Sequence, residues 1–207
     1  MLQGLEFAFQ ILILIFSVVI HEVSHGLAAF YLGDSTAKEE GRLTLNPISH
    51  IDFVGSILLP IITQGKFGWA KPVPYNPYNL RNQKWGPAIV GAAGPLSNIA
   101  IAVIFGLIVR FASTFLPPTF FQISLIIIGT NILLAVFNLM PIPPLDGSKV
   151  LFSILPNSWF RVREFLEHYG IIILLILIFL GGLFLSKKMY SCQENASCCW
   201  FIIEKCY

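Results

Sequence analysis

Charged residues are scarce in this chain, and this scarcity limits the classes of protein to which it can belong. Asp, Glu, Lys and Arg make up 12% of its 207 residues, whereas a soluble domain carries roughly 25%. Hydrophobic residues make up 56%, and the mean hydropathy is +0.76. These values exclude a soluble globular protein and predict an integral protein of the lipid bilayer. The net charge of +2 provides no dense basic face, so we expect no nucleic-acid partner.

Cysteine is absent from the body of the chain. All four cysteines lie within the last sixteen residues, at positions Cys192, Cys198, Cys199 and Cys206. They provide no disulfide framework, and their spacing matches no paired CxxC zinc pattern. Because the composition changes at Ser191, we interpret residues 191–207 as a dispensable tail and residues 1–190 as one membrane-embedded domain. A basic leader with a cleavage site is also lacking, so we expect the first apolar segment to remain as a helix.

The alternating hydrophobicity of a β-barrel is missing as well, so the membrane-spanning segments must be helical. A helix needs about 20 apolar residues to span the bilayer. Four runs are long enough: residues 5–31, 87–110, 120–140 and 166–186. A fifth apolar run, residues 51–63, is shorter and contains Pro60, so we expect a re-entrant or interfacial element there. The predicted fold is an all-α, multi-pass membrane protein with about four transmembrane helices.

The loop at residues 65–86 predicts the orientation of the chain in the cell membrane. It contains four basic residues and no acidic residue, and the positive-inside rule therefore places it in the cytoplasm. Its proline, glycine and aromatic residues cannot continue a helix and favour extended strands and turns. Residues 41–47, GRLTLNP, have a similar character, so we predict a small β-hairpin region at the membrane interface. A plain interfacial loop is the alternative.

The sequence HEVSH, residues 21–25, provides the first indication of chemistry. It directly follows ILILIFSVVI, so its ionisable side chains lie on the first hydrophobic helix. Residues i and i+4 project from one helical face, which lets His21 and His25 reach one metal ion, and Glu22 lies beside them as a candidate general base. Ionisable side chains inside a span cost on the order of 3 kcal/mol each, so we expect a compensating metal. Polar residues that only join helices to one another are the alternative.

Two imidazoles leave a catalytic zinc ion short of its usual three protein ligands. Asp146 is the strongest candidate for the third ligand. It follows an apolar helix in NLMPIPPLDG, where prolines break the helix and Gly147 allows an unusual backbone turn. Two long spans return Asp146 to the side of the membrane where the first helix ends, provided that residues 51–63 do not cross. The active site then opens toward the cytoplasm. His50 and Asp52 are competing donors.

Three motifs in this sequence resemble the signature motifs of the site-2 protease family of intramembrane zinc metalloproteases. They are HEVSH in the first helix, GPLSN at residues 94–98 and NLMPIPPLDG at residues 138–147. GRLTLNPISHID and FGWAKPVPYNPYNLR are similar to the short prokaryotic branch of that family. The resemblance implies one Zn²⁺ ion held by His21, His25 and Asp146, with Glu22 as the catalytic acid/base. The implied activity is regulated intramembrane proteolysis, the hydrolysis of a peptide bond in the transmembrane segment of a membrane-protein substrate.

Asn98 and Asn138 are amides on the two helices that we expect to flank the metal site. One interpretation is hydrogen bonding between helices. The other is that they bind the substrate backbone or the oxyanion that develops during hydrolysis. We expect Gly91, Gly94 and Pro95 to permit close helix packing and a local kink rather than to take part in the chemistry.

One alternative function comes from another class of protein. A zinc transporter or sensor in the membrane would bind metal through the same residues without hydrolysing anything. Glu22 distinguishes the two functions, since transport needs ligands but has no use for a base that does not bind the metal. A non-catalytic scaffold is disfavoured because it explains neither the buried charges nor their spacing.

Overall fold

The computed structural model describes residues 2–50, 52, 71–112 and 115–194, and over these ranges the chain is mostly helical. The helices are α1 (Leu2–Tyr31), α2 (Thr36–Glu39), α3 (Gly86–Ala112), α4 (Pro118–Asn138), α5 (Asp146–Ile154) and α6 (Phe160–Glu194). Short 3-10 helices cover Pro47–His50, Pro77–Asn79 and Asn157–Trp159. The four long helices predicted from the apolar runs are α1, α3, α4 and α6.

Three of the described helices are long and apolar enough to cross a bilayer. They are residues 9–31 of α1, the whole of α3 and the whole of α4. Only 17–33% of the residues in their most apolar stretches are buried inside the protein. A soluble monomer rarely exposes apolar surface on this scale, so these faces suit lipid rather than water. Helix α6, which contains the fourth predicted run, is not among these three candidates in the described part of the chain, and its role as a span stays a prediction.

The predicted β-hairpin region contains no strand within the described ranges. Residues 42–46 and 71–76 have no regular secondary structure, and residues 67–70 lie outside the described residues. An extended segment becomes a strand only when a neighbour satisfies its backbone groups, and sequence pattern alone does not supply that neighbour. The predicted re-entrant segment, residues 51–63, also lies outside the described residues, apart from Asp52. The hairpin and the re-entrant element therefore stay predictions.

The described residues divide into two compact units. The first lies within Met1–Pro141 and Leu145–Asn157 and contains helices α1 to α5. The second lies within Ile142–Pro144 and Ser158–Tyr207 and contains α6. The candidate functional residues all belong to the first unit.

Helix α3 is the central element of the first unit, where it packs against α1, α4 and α5. A small apolar core near the end of α1 contains Ala29, Leu80 and Val90. Polar side chains are also buried in this unit, and these include both histidines of HEVSH. In the second unit, Gly170 lies so close to the carbonyl of Pro143 that a Cβ atom would overlap it. Small residues thus permit close packing in both units.

Asp34 joins the segment after α1 to the segment before α3. Its Oδ1 accepts hydrogen bonds from Thr36 Oγ1 (2.6 Å) and Asn79 Nδ2 (2.9 Å), and its Oδ2 accepts one from the backbone N–H of Asn76 (2.7 Å). Burial alone would raise the pKa of Asp34, but these hydrogen bonds lower it more, so the pKa lies below its ordinary value. Asp34 therefore holds the segment 71–76 beside α1.

Candidate metal centre

His21 and His25 lie one turn apart on α1, as the HEVSH spacing predicts. Both are buried, and their Nε2 atoms are 3.1 Å apart. The two rings meet edge to face with their centroids 4.7 Å apart. The i,i+4 spacing thus directs both imidazoles toward one point inside the protein.

Asp146 meets the two histidines from the first residue of α5. Its Oδ2 lies 3.1 Å from His21 Nε2 and 3.0 Å from His25 Nε2. Leu145 before it has an extended backbone, so the helix starts anew after the proline-rich break. The sequence predicts an unusual backbone turn at Gly147, but the structure gives a different reason for the glycine. A Cβ atom at Gly147 would overlap the backbone of Leu139, so glycine is needed for close approach.

These three residues fit a zinc ion. Val90 O can only accept a hydrogen bond, so His25 Nδ1, at 2.6 Å from it, carries the proton and His25 Nε2 presents a lone pair. Imidazole and carboxylate lone pairs that converge at 3.0–3.1 Å repel one another unless a cation lies among them. In a tetrahedral site with bonds of about 2.0–2.1 Å, the ligand atoms are roughly 3.3 Å apart. The observed triangle is close to that size.

Asn98 lies behind His21 and is completely buried. Its side-chain amide is 3.2 Å from His21 Nδ1, and its Oδ1 has no hydrogen-bond partner as the amide is oriented. A flip of the amide lets Oδ1 accept from His21 Nδ1–H, and the assignment of amide N and O rests on this kind of network argument. A metal-binding histidine ordinarily donates its second N–H in this way. Asn98 is therefore placed to orient His21.

Gly94 leaves the space that the two imidazoles occupy. A Cβ atom there would lie 2.6 Å from His21 Nε2 and closer still to His25 Nε2. The sequence by itself predicts only close helix packing and a local kink at this residue. The structure shows that the closeness serves the histidine side chains themselves, a relation between α1 and α3 that spacing along one helix does not reveal.

Glu22 is half-buried beside the two histidines and does not belong to the converging group. Its Oε2 accepts a hydrogen bond from the backbone N–H of Val73 (3.0 Å) in the segment 71–76. The guanidinium of Arg42 donates to two carbonyls of that segment and to the carbonyl of Ser49. Gly26 leaves room for the Val73 side chain against α1. The carboxylate of Glu22 is thus held in place by a backbone segment distant in sequence.

Lys149 is a residue of this site that the sequence pattern did not indicate. Its Nζ lies 2.9 Å from Asp146 Oδ1 and 5.5 Å from the centre of the Tyr75 ring. Burial lowers the pKa of Lys149, but the charge and hydrogen bond of Asp146, together with Tyr75 and Glu22, raise it more, so the pKa lies above its ordinary value and the amine is charged at neutral pH. The i,i+3 spacing from Asp146 is the signal that could have identified this residue once a helix was assigned there.

The remaining predicted residues lie elsewhere. Asn138 is half-buried, and its Nδ2 donates to Leu134 O in its own helix (3.0 Å). His50 is buried, with its Nε2 2.9 Å from Thr44 O. Over the described ranges, the group of metal-binding side chains that converge is His21, His25 and Asp146, and it includes neither His50 nor Asp52.

Comparison with known proteins gives consistent matches. Residues 116–181 match the sequence model of Peptidase family M50. The chain is 38% identical over 176 residues to "Putative zinc metalloprotease YwhC" of Bacillus subtilis, an alignment that covers 82% of this chain and 79% of that relative. It is 30% identical over 169 residues to "Putative zinc metalloprotease Rip2" of Mycolicibacterium smegmatis, covering 78% and 63%. It is 25% identical over 183 residues to "Zinc metalloprotease MJ0392" of Methanocaldococcus jannaschii, covering 86% and 44%.

No solved structure gives a significant match to this chain. The similarity to YwhC extends over most of both chains and is not confined to one motif. The residues that match the family model include Asp146 and Lys149. The chain belongs to peptidase family M50, the site-2 protease family of zinc metalloproteases.

Proposed function

We propose that this protein is an intramembrane zinc metalloprotease that hydrolyses peptide bonds within or near the transmembrane segments of membrane-protein substrates. One observation carries the proposal: His21 and His25 lie on a helix apolar enough to cross a bilayer, and their Nε2 atoms converge with Asp146 Oδ2 from α5 at 3.0–3.1 Å. Glu22 lies beside them without joining them, as a general base should. Family membership supports the same chemistry.

In the proposed mechanism, His21, His25 and Asp146 hold zinc, and Glu22 moves protons. Zinc held by these residues would act as a Lewis acid toward water and the scissile carbonyl. Glu22 accepts a proton from water and delivers it to the leaving amine. The hydrogen bond from Val73 N–H to Oε2 fixes the carboxylate and leaves Oε1 to take the proton. Asn98 orients His21, and Asn138 remains our candidate for binding the substrate backbone or the oxyanion.

A helical substrate must unwind before its peptide bond can be attacked, and we propose that it pairs with an extended edge of the enzyme. The two candidate edges are residues 41–47 and 67–75. In the described part of the second, residues 71–75, the N–H groups of Lys71 and Val73 donate to His50 O and Glu22, and Pro72 and Pro74 have no N–H. In the first, the N–H groups of Gly41, Arg42 and Asn46 donate within the same stretch of chain, so we propose residues 43–45 between them as the edge.

The edge can be tested with two variants at one position. Leu45→Pro removes a backbone N–H from the exposed part of this edge, whereas Leu45→Ala shortens the same side chain and keeps the N–H. We expect cleavage to fall in the proline variant and to persist in the alanine variant. Equal cleavage by the two variants would argue against pairing at residues 41–47.

We further propose that α6 is the fourth span, that residues 1–190 act as one membrane domain and that the active site opens toward the cytoplasm. The support is the basic loop before α3 and the parity of the spans between His25 and Asp146. A reporter that is active only in the cytoplasm, inserted after Gln83, should be active. An inactive reporter there, with an active one at the N-terminus, would reverse the orientation.

The decisive experiment uses the purified protein in lipid vesicles with a candidate single-span substrate. We expect cleavage that a zinc chelator abolishes and that added zinc restores. Glu22→Gln should bind zinc without cleaving, whereas Glu40→Gln, which changes an exposed acid near the same helix, should cleave normally. The zinc transporter or sensor is the alternative. Zinc flux across the vesicle membrane in both wild type and Glu22→Gln, without cleavage in either, would favour it.

A further inference from the structure

The two carboxylate oxygens of Asp146 have different neighbours. Oδ2 faces the Nε2 atoms of both histidines, whereas Oδ1 accepts a hydrogen bond from the ammonium of Lys149 at 2.9 Å. The Asp146 side chain is 10% exposed and that of Lys149 is 31% exposed. A charge-assisted contact between partly buried groups holds its geometry better than a surface ion pair does.

The position of Lys149 is itself restricted from two directions. On one side, α3 presents Gly91, where a Cβ atom would lie 3.0 Å from Lys149 Cβ and 3.2 Å from its Cδ. On the other side, the ammonium lies 5.5 Å from the centre of the Tyr75 ring, within the range of a cation–π contact. Tyr75 packs against the apolar core beside Leu80 and Val90. The lysine is therefore confined between a helix backbone and an aromatic ring.

We propose that Lys149 is a positioning residue that makes Asp146 a one-oxygen ligand of zinc. By holding Oδ1, the ammonium leaves only Oδ2 to meet the metal beside His21 and His25. A carboxylate that turned both oxygens to the metal would fill a further coordination position, and a catalytic zinc site needs that position for water or substrate. Lys149 thus keeps the site open for chemistry, and it acts through Asp146 without touching the reacting atoms.

This inference rests on the proposed metalloprotease function, and the experiment separates the two. Wild-type protein, Lys149→Met and Lys149→Arg are prepared as full chains in lipid, freed of metal and loaded with Co²⁺ or Zn²⁺. Co²⁺ reports its coordination number through the intensity of its visible absorption, which is stronger in four-coordinate sites than in five-coordinate sites. Lys84→Met is the matched control, since Lys84 also lies over an aromatic ring, that of Trp85 at 5.8 Å.

We expect Lys149→Met to bind metal with weaker visible bands per bound Co²⁺ and to lose about 10–100-fold in kcat with a smaller change in KM, the range typical for groups that orient metal ligands. Lys149→Arg should restore both properties, because a guanidinium also donates to Oδ1. Lys84→Met should match the wild type. If Lys149→Met does not fold, Lys149→Leu, which also lacks a donor for Oδ1, replaces it, and its bands and kcat should fall in the same direction.

Two results would overturn the inference while leaving the metalloprotease intact. One is an unchanged Co²⁺ spectrum in metal-loaded Lys149→Met or its leucine replacement. The other is an arginine variant as impaired as the methionine variant, because the role would then depend on lysine packing and not on a donor to Oδ1. Wild-type protein that binds neither metal would instead refute the proposed function itself.

Discussion

Gly94→Ala tests the closeness of α3 to the two histidines. The added Cβ would lie 2.6 Å from His21 Nε2 and nearer still to His25 Nε2, whereas nonbonded carbon contacts are optimal at about 3.5–4.0 Å. The imidazoles must therefore move by about 1 Å, while metal sites tolerate shifts of about 0.2 Å. Their Nδ1 hydrogen bonds to Val90 O and the Asn98 amide resist that movement.

The magnitude follows from the hydrogen bonds at stake. A buried donor or acceptor left without its partner costs about 1–3 kcal/mol. A change of about 1.4 kcal/mol in binding free energy alters a dissociation constant about tenfold. We therefore expect the loss of one such hydrogen bond to decrease zinc affinity roughly 10–100-fold. Cleavage should fall at least in proportion, because a site without zinc cannot carry out the proposed hydrolysis.

The assay is competition for zinc against a chelator, with bound metal measured by mass spectrometry. Gly106→Ala is the control on the same helix, because among the described residues no atom beyond its own helical turn and chain neighbours lies within 4 Å of the added Cβ, and the change improves helix propensity by about 1 kcal/mol. Thermal unfolding in lipid shows whether each variant is folded. A folded Gly94→Ala protein with wild-type zinc affinity and cleavage would refute the view that this glycine makes room for the ligands.

Further variants test other parts of the structure. Glu22→Gln should keep zinc and lose about 10²–10⁴-fold in turnover, measured by gel against metal content, because the amide keeps the size but removes the base. Asp146→Ala should lower zinc occupancy by mass spectrometry, whereas His50→Ala should leave it near the wild-type level. Because the native pKa of Asp34 lies below the ordinary 3.8, its stabilising contribution is full above that value and is lost as the pH falls through the native pKa. The fall in thermal stability on acidification should therefore be smaller in Asp34→Asn than in wild type. Truncation after Tyr190 should leave zinc binding and cleavage unchanged, as judged by the same two assays.

The sequence by itself determined the features that depend on neighbours along the chain. Runs of about 20 apolar residues predicted α1, α3, α4 and α6, because a helix satisfies its own backbone within the segment. The HEVSH spacing likewise placed His21 and His25 on one face, since i and i+4 are adjacent on any α-helix. Extended segments do not satisfy their own backbone groups, so the predicted hairpin could not be decided in the same way.

Tertiary structure decided which distant residues meet these local features. Asp146 lies 121 residues after His25. Motif resemblance and the parity of the spans predicted that Asp146 approaches the histidines. Only the packing of the helices decides that its two carboxylate oxygens have different neighbours. Two further features depend on how closely α3 packs against α1 and α5. They are the contact of Lys149 with Asp146 Oδ1 and the position of Gly94 beside the imidazoles. Such distances are set by side-chain volumes on both helices at once, and no periodicity along a single helix contains that information.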